Sequence, residues 1–122
     1  MSGGRGRDSH VAHGRAAEER AAQLLQQQGY TILDRNARGG RGELDLVVQK
    51  GDLLVFVEVK AHASVERSLQ AMTPGKQRRL LSAAEVWRMR HQSLLELQCR
   101  FDLITISPIS NSITHYEDAF RS

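Results

Sequence analysis

Two apolar runs, broken once at Gly51-Asp52, constrain this chain more than any other feature. The stretch from Gly42 to Lys60 reads GELDLVVQKGDLLVFVEVK, and Val, Leu and Phe dominate both halves. Such runs read as buried strands, and the Gly-Asp break reads as the turn of a hairpin. Four charged residues interrupt the pattern: Glu43, Asp45, Glu58 and Lys60. An unpaired charge on a buried strand is costly, so function is sought at these four.

A two-residue turn at Gly51-Asp52 sets the pairing. Asp45 then lies opposite Glu58, and Glu43 opposite Lys60. The two-residue period of a strand puts all four on one face, with Leu44, Leu46, Val48, Val55, Val57 and Val59 on the other. Opposed residues have β-carbons about 4.5–5.5 Å apart, close enough for like charges to destabilise the pair. A solvent-facing charge ladder accounts for Glu43 and Lys60 as a weak surface pair. It leaves Asp45 against Glu58 unexplained. A divalent ion with oxygen ligands would satisfy both carboxylates, and Mg²⁺ uses one or two carboxylates while keeping waters.

The rest of the chain supplies the layers. Residues 1–12 are rich in Gly, Ser and Arg and read as a disordered basic tail, with Arg5 and Arg7 free to touch a polyanion. A single domain is expected over residues 13–122. Ala17, Ala21, Leu24, Leu25 and Gln28 form one stripe of an amphipathic helix, which Gly29 closes. Glu18 sits at the edge of that stripe. Residues 30–36 read as a short strand, residues 37–42 as a flexible basic loop, and residues 61–72 as a loop. Thr73-Pro74 marks the start of a second helix, with Leu80, Leu81, Ala84 and Trp87 on its buried stripe. Residues 100–107 alternate as a strand that Pro108 ends, and residues 113–116 add an edge strand. This order predicts an α/β domain with a mixed central sheet.

Composition excludes several classes. The single cysteine, Cys99, rules out an internal disulfide, and a cytoplasmic location is expected. No apolar segment approaches a membrane span, and the N-terminus has no signal-peptide core. The five histidines lack zinc spacing, and Gly39–Gly42 matches neither a Walker loop nor a dinucleotide fingerprint. The net charge is +3. The informative cations are grouped: Arg38 and Arg41 before the hairpin, and Lys76, Arg78 and Arg79 at the start of the second helix. These are candidate phosphate contacts, because the arginine fork can donate two bonds at once.

Asp45, followed after 12 residues by Glu58-Val59-Lys60, resembles the PD-(D/E)xK signature of restriction-endonuclease-like and Holliday-junction-resolvase-like nucleases. More closely, the chain resembles the YraN family of small bacterial proteins. The matching stretches are Gly14 with Glu18 and Ala21, Gly29-Tyr30, Asn36 with Arg38, residues 42–45, residues 55–60, Lys76 with Arg79-Leu80, and residues 100–102. Ala17 and His62 depart from the family pattern. The resemblance implies a three-layer α/β/α restriction-endonuclease-like fold. It implies Mg²⁺ or Mn²⁺ on Asp45 and Glu58, Lys60 beside an attacking water, and Glu18 as a helical carboxylate completing a catalytic set. The expected function is metal-dependent endonuclease (phosphodiesterase) action on DNA, selective for shape. Two-site cutting of branched DNA would need a homodimer. The alternative is a nucleic-acid-binding or assembly module that keeps the nuclease fold with little or no activity.

Overall fold

The structure, a computed structural model, describes residues 2–62 and 65–121, with side chains described for 14–62 and 66–121. Helix α1 (Ser2–Gln27) leads into an antiparallel run of β1 (Thr31–Gly39), β2 (Gly42–Lys50) and β3 (Leu53–Lys60). A short helix α2 (Val65–Gln70) and helix α3 (Pro74–Arg90) carry the chain to β4 (Gln98–Ile106), which pairs parallel with β3. Strand β5 (Ile113–Phe120) pairs antiparallel with β4, so the five-stranded sheet is mixed and its spatial order is the chain order.

Both faces of the sheet are covered, as the three-layer reading expects. On one face, Ala17, Ala21, Ala22 and Leu25 of α1 pack on Leu46, Val48, Val55, Val57, Ile104 and Ile106. On the other, Leu80, Ala83, Ala84 and Trp87 of α3 pack on Leu44, Val47, Leu54 and Phe56. The Trp87 indole N–H, buried with its ring, finds an acceptor in Asp34 Oδ2 at 2.9 Å.

The local signals act as their chemistry dictates. Gly29 has φ of +94°, the left-handed conformation that a helix C-terminus asks of glycine. Thr73 caps α3, its side chain accepting from the Lys76 N–H at 3.2 Å, with Pro74 in the first helical turn. Gly42 is a close-approach position: a β-carbon there would lie 2.3 Å from the Arg79 carbonyl oxygen, so only glycine lets α3 rest on the start of β2.

The hairpin register is the one the turn predicts, with Leu46 against Val57, Val48 against Val55 and Lys50 against Leu53. Several expectations change. The four charged residues part company: Glu58 is buried against the start of α3, Asp45 and Lys60 are partly buried, and the Glu43 side chain stays exposed. Leu44 lies in the α3 core, away from Leu46, because the β1–β2 ladder skips Asn36 and Asp45 and the alternation shifts there. Residues 37–39 continue β1 instead of looping, so the turn into β2 is tight. Part of the 61–72 loop is α2. Helix α1 begins at Ser2 and takes in the tail expected over residues 1–12; elongating a helix costs far less than nucleating one. The side chains of that segment, Arg5 and Arg7 among them, lie outside the described residues.

Candidate functional site

Asp45 is the one residue inside β2 that pairs with neither neighbouring strand. The β1 ladder passes from Arg35–Leu46 to Ala37–Leu44, and the β3 ladder ends at Leu46–Val57. Asn36, which would face Asp45, has φ of +51°, a left-handed conformation in which asparagine is enriched. With the ladder open, the Val59 N–H donates to Asp45 Oδ2 at 2.8 Å. A side chain thus replaces a backbone acceptor, and the strands splay around a carboxylate.

Glu58 comes from the other side of this opening and is buried, its side chain 5% exposed. Lys60 Nζ lies 3.3 Å from Glu58 Oε1, and Lys76 Nζ, from the first turn of α3, lies 3.8 Å from the same oxygen. Glu58 Oε2 is buried with no hydrogen-bond partner. Burial pushes the Glu58 carboxyl up to about 7, the nearby Asp45 charge pushes the same way, and the two lysines oppose both. Asp45 is also raised, first by burial, against the Val59 N–H, a side-chain hydrogen bond with Glu58 and the lysines. The pair that the register predicted is therefore real and electrostatically strained.

Glu18 approaches from α1 on the opposite face. It is half-buried, and burial and the Asp45 charge raise its pKa, while a hydrogen bond with the Asn36 side chain lowers it. The left-handed turn at Asn36 thus serves two ends, opening the ladder at Asp45 and holding Glu18. Among the described residues, no three of His, Cys, Asp or Glu converge in a way that could hold an ion. Asp45 and Glu58 stand as a two-carboxylate pair, with Glu18 outside it. Glu43 does not meet Lys60; its carboxylate is 4.0 Å from Arg38 Nε across the β1–β2 ladder, on the exposed surface.

The predicted phosphate contacts divide. Arg38, Arg41, Lys76 and Arg79 line one cleft of about 370 Å³, with Glu43 and the Gly40–Gly42 backbone. Arg78 points elsewhere, into a larger cleft of about 1020 Å³ between α3 and β3–β5 with Arg88, Phe101 and Phe120. Successive residues of a helix are about 100° apart around its axis, so Arg78 and Arg79 diverge. Lys76 has a partner that sequence reasoning missed: it was expected on phosphate, and it is also paired with Glu58. Its capped position in the first turn of α3 was visible; its proximity to a strand 16 residues earlier was not.

The donor set suits a hard divalent cation. Two carboxylates offer oxygen ligands to an ion that keeps much of its water, and Glu58 Oε2 is buried with no N–H or cation donating to it, so that the Glu58 and Asp45 carboxyls are left to hydrogen-bond each other. Buried polar atoms are rarely left so, and a carboxylate oxygen in that state fits a site built to receive an ion.

Fold and cluster together define a three-layered α/β protein whose sheet opens, at the C-terminal end of β3, onto a carboxylate–lysine centre. The sequence pattern of Uncharacterised protein family UPF0102 matches residues 17–106, and the chain belongs to that family, the YraN family its motifs resembled. A UPF0102 protein of Bradyrhizobium sp. (strain BTAi1) is 45% identical over 97 residues, covering 80% of this chain and 71% of the relative. One from Rhodopseudomonas palustris (strain CGA009) is 43% identical over 107 residues, covering 88% and 82%. One from Maricaulis maris is 41% identical over 104 residues, covering 85% and 82%. Among solved structures, SfsA of Pyrococcus furiosus, in complex with Ca²⁺, has a TM-score of 0.27 at 16% identity over 80% of this chain and 58% of that one, too slight a likeness to carry weight. No helix among the described residues is long and apolar enough to cross a membrane.

Proposed function

We propose that this protein is a metal-dependent phosphodiesterase of the PD-(D/E)xK kind, an endonuclease acting on DNA in the cytoplasm and selecting DNA by shape. The observation that carries this reading is Glu58. It is buried with one oxygen that no N–H or cation serves, beside a second carboxylate and two lysines, one of which, Lys76, also lines an arginine-lined cleft. Structural carboxylates are not usually left in that condition.

Asp45 and Glu58 would hold Mg²⁺ or Mn²⁺. Such an ion polarises a phosphoryl oxygen and makes a bound water a stronger nucleophile near neutral pH. The remaining chemistry belongs to the chain. The Val59 N–H fixes the Asp45 carboxylate, so its orientation is set before any ligand arrives. Lys60, its side chain 19% exposed, is held by Glu58 and places a positive charge where negative charge grows on a phosphate. Glu18, kept at a distance by Asn36, orients solvent at the rim. Arg38, Arg41 and Arg79 contact the nucleic-acid backbone, which fixes position without reading bases. Shape selectivity follows from that lack of base readout.

A cleavage panel of plasmid, single-stranded, flapped and four-way DNA, with Mg²⁺ or Mn²⁺, tests the proposal. Cutting that disappears in Asp45→Asn supports it. No cutting of any substrate, or equal cutting by the variant, rejects it in favour of a binding or assembly module on the same fold.

A further inference from the structure

Among the described residues, Lys76 is the one side chain that belongs to both halves of the site. It pairs with Glu58 Oε1 at 3.8 Å and also lines the cleft with Arg38, Arg41 and Arg79. We propose that Lys76 is a displaceable internal cation: it neutralises Glu58 until a divalent ion is bound, then turns into the cleft to take a backbone phosphate. The inference rests on the metal-binding reading above and adds a coupling between the two ligands that neither half of the site shows by itself.

Charge counting gives the driving force. With both carboxylates ionised, Asp45 and Glu58 face two ammonium groups, Lys60 and Lys76, and the cluster is balanced. A divalent ion adds two positive charges within a few ångströms, where repulsion between like charges is strong in a partly buried site. One ammonium group must give way, and the structure ranks them. Lys60 is nearer Glu58, 3.3 Å against 3.8 Å, and less exposed, 19% against 32%. At its longer distance Lys76 makes an ion pair without a hydrogen bond, so it loses least by leaving.

The backbone and side chain of Lys76 suit such a movement. Its N–H is held by the Thr73 cap at 3.2 Å, which fixes the Cα in the first turn of α3. The side chain beyond is a flexible four-carbon stem with a point charge, and it already borders both destinations. Lys60 does not line the cleft, and among the described residues the three cleft arginines make no ion pair with Glu58. Arg38 has its own carboxylate, Glu43. The movement is therefore assigned to Lys76 alone.

The competition gives Lys76→Gln two effects of opposite sign, which loss of a structural contact would not. Calorimetric titration with Mn²⁺ alone, at pH 7.5 and without nucleic acid, should show Lys76→Gln binding the ion about threefold to fivefold tighter than wild type, the size expected for removing one partly exposed competing charge. Fluorescence anisotropy with a short DNA duplex should show the same variant binding several-fold more weakly, with a shallower salt dependence. Lys76→Arg should restore duplex binding, because it keeps the charge. Mn²⁺ binding by Lys76→Gln that is equal to or weaker than wild type overturns the switch while leaving the metal reading intact. A wild-type protein that binds no Mn²⁺ overturns both, and the wild-type titration alone separates the two failures.

Discussion

Two buried carboxylates on neighbouring strands have opposite fates in this protein. Asp102 on β4 is completely buried and fully served. Arg100 donates from Nε to Oδ1 at 2.8 Å and from Nη2 to Oδ2 at 2.9 Å, the Asp118 N–H reaches Oδ1 at 3.0 Å, and His115 Nε2 lies 2.7 Å from Oδ2. Arg100 is itself tied to the Tyr30 hydroxyl at 2.9 Å. Burial works against the Asp102 charge, but bonds from His115, Arg100 and the Asp118 N–H outweigh it and hold the carboxyl below its ordinary range. Glu58 on β3 has two lysines on one oxygen, none on the other, a second carboxylate beside it, and a pKa pushed up to about 7. Equal burial therefore does not mean equal purpose. A carboxylate that has all its donors ties strands together, and one denied them is the candidate for a ligand under the proposed function.

The largest effect expected is on catalysis. Asp45→Asn keeps an acceptor for the Val59 N–H but removes a ligand charge, so metal-dependent cleavage should fall by roughly two to three orders of magnitude, the loss typical when one transition-state-stabilising group is removed. Urea denaturation of the metal-free variant should show stability equal to or above wild type, because a like-charge neighbour of Glu58 has gone. Asp102→Asn should do the reverse. It takes the buried counter-charge from the partly buried Arg100, which keeps only the exposed Glu117 at 3.7 Å, and should cost about 3 kcal/mol in the same denaturation measurement. If Asp102→Asn proved as harmless to stability as Asp45→Asn, the contrast between tie and site would collapse.

The pH response comes next in size. For Glu58 the folded pKa, about 7, lies above the ordinary 4.5, so the folded state binds the proton more tightly. Its contribution to stability is complete below pH 4.5 and is lost as pH rises through 7, on the order of 1–3 kcal/mol. Metal-free protein should therefore weaken between pH 5 and 8, and Mn²⁺ should restore it at pH 8. Glu58→Gln, which can donate to Asp45, should flatten that slope and abolish the Mn²⁺ effect. Asp102 behaves oppositely: its pKa is lowered from 3.8, so its stabilisation is present above that value and fades as pH falls through the lower folded one. Denaturant midpoints followed from pH 3 to pH 8 would show both limbs. The smallest expected effect belongs to His115→Gln, about 1 kcal/mol, since three bonds to Asp102 remain.

Much of this was legible from residues alone. The two-residue turn at Gly51-Asp52 specified the register, and that register placed Asp45 near Glu58, because period two and a tight turn leave a hairpin little freedom. Helix boundaries at Gly29 and Thr73-Pro74 were equally local matters. Glu18 was another case: its place near Asp45 came from the family resemblance, since a half-buried glutamate on a helix has no local mark. What misled was the assumption of a regular hairpin throughout. It put Glu43 against Lys60 and Leu44 beside Leu46, and a left-handed Asn36 with α3 overhead altered both.

By itself the sequence determined the strands, the pairing of the β2–β3 hairpin and the presence of two carboxylates that repel. Those depend on neighbours a few residues apart, and local geometry settles them. Only the tertiary structure decided which charges would be satisfied. It brought Lys76 from α3 onto Glu58, left Oε2 without a donor, and gathered Arg100, His115 and the Asp118 backbone around Asp102. Burial and partner count are properties of the packed molecule, and they set whether a buried carboxylate is satisfied or left strained.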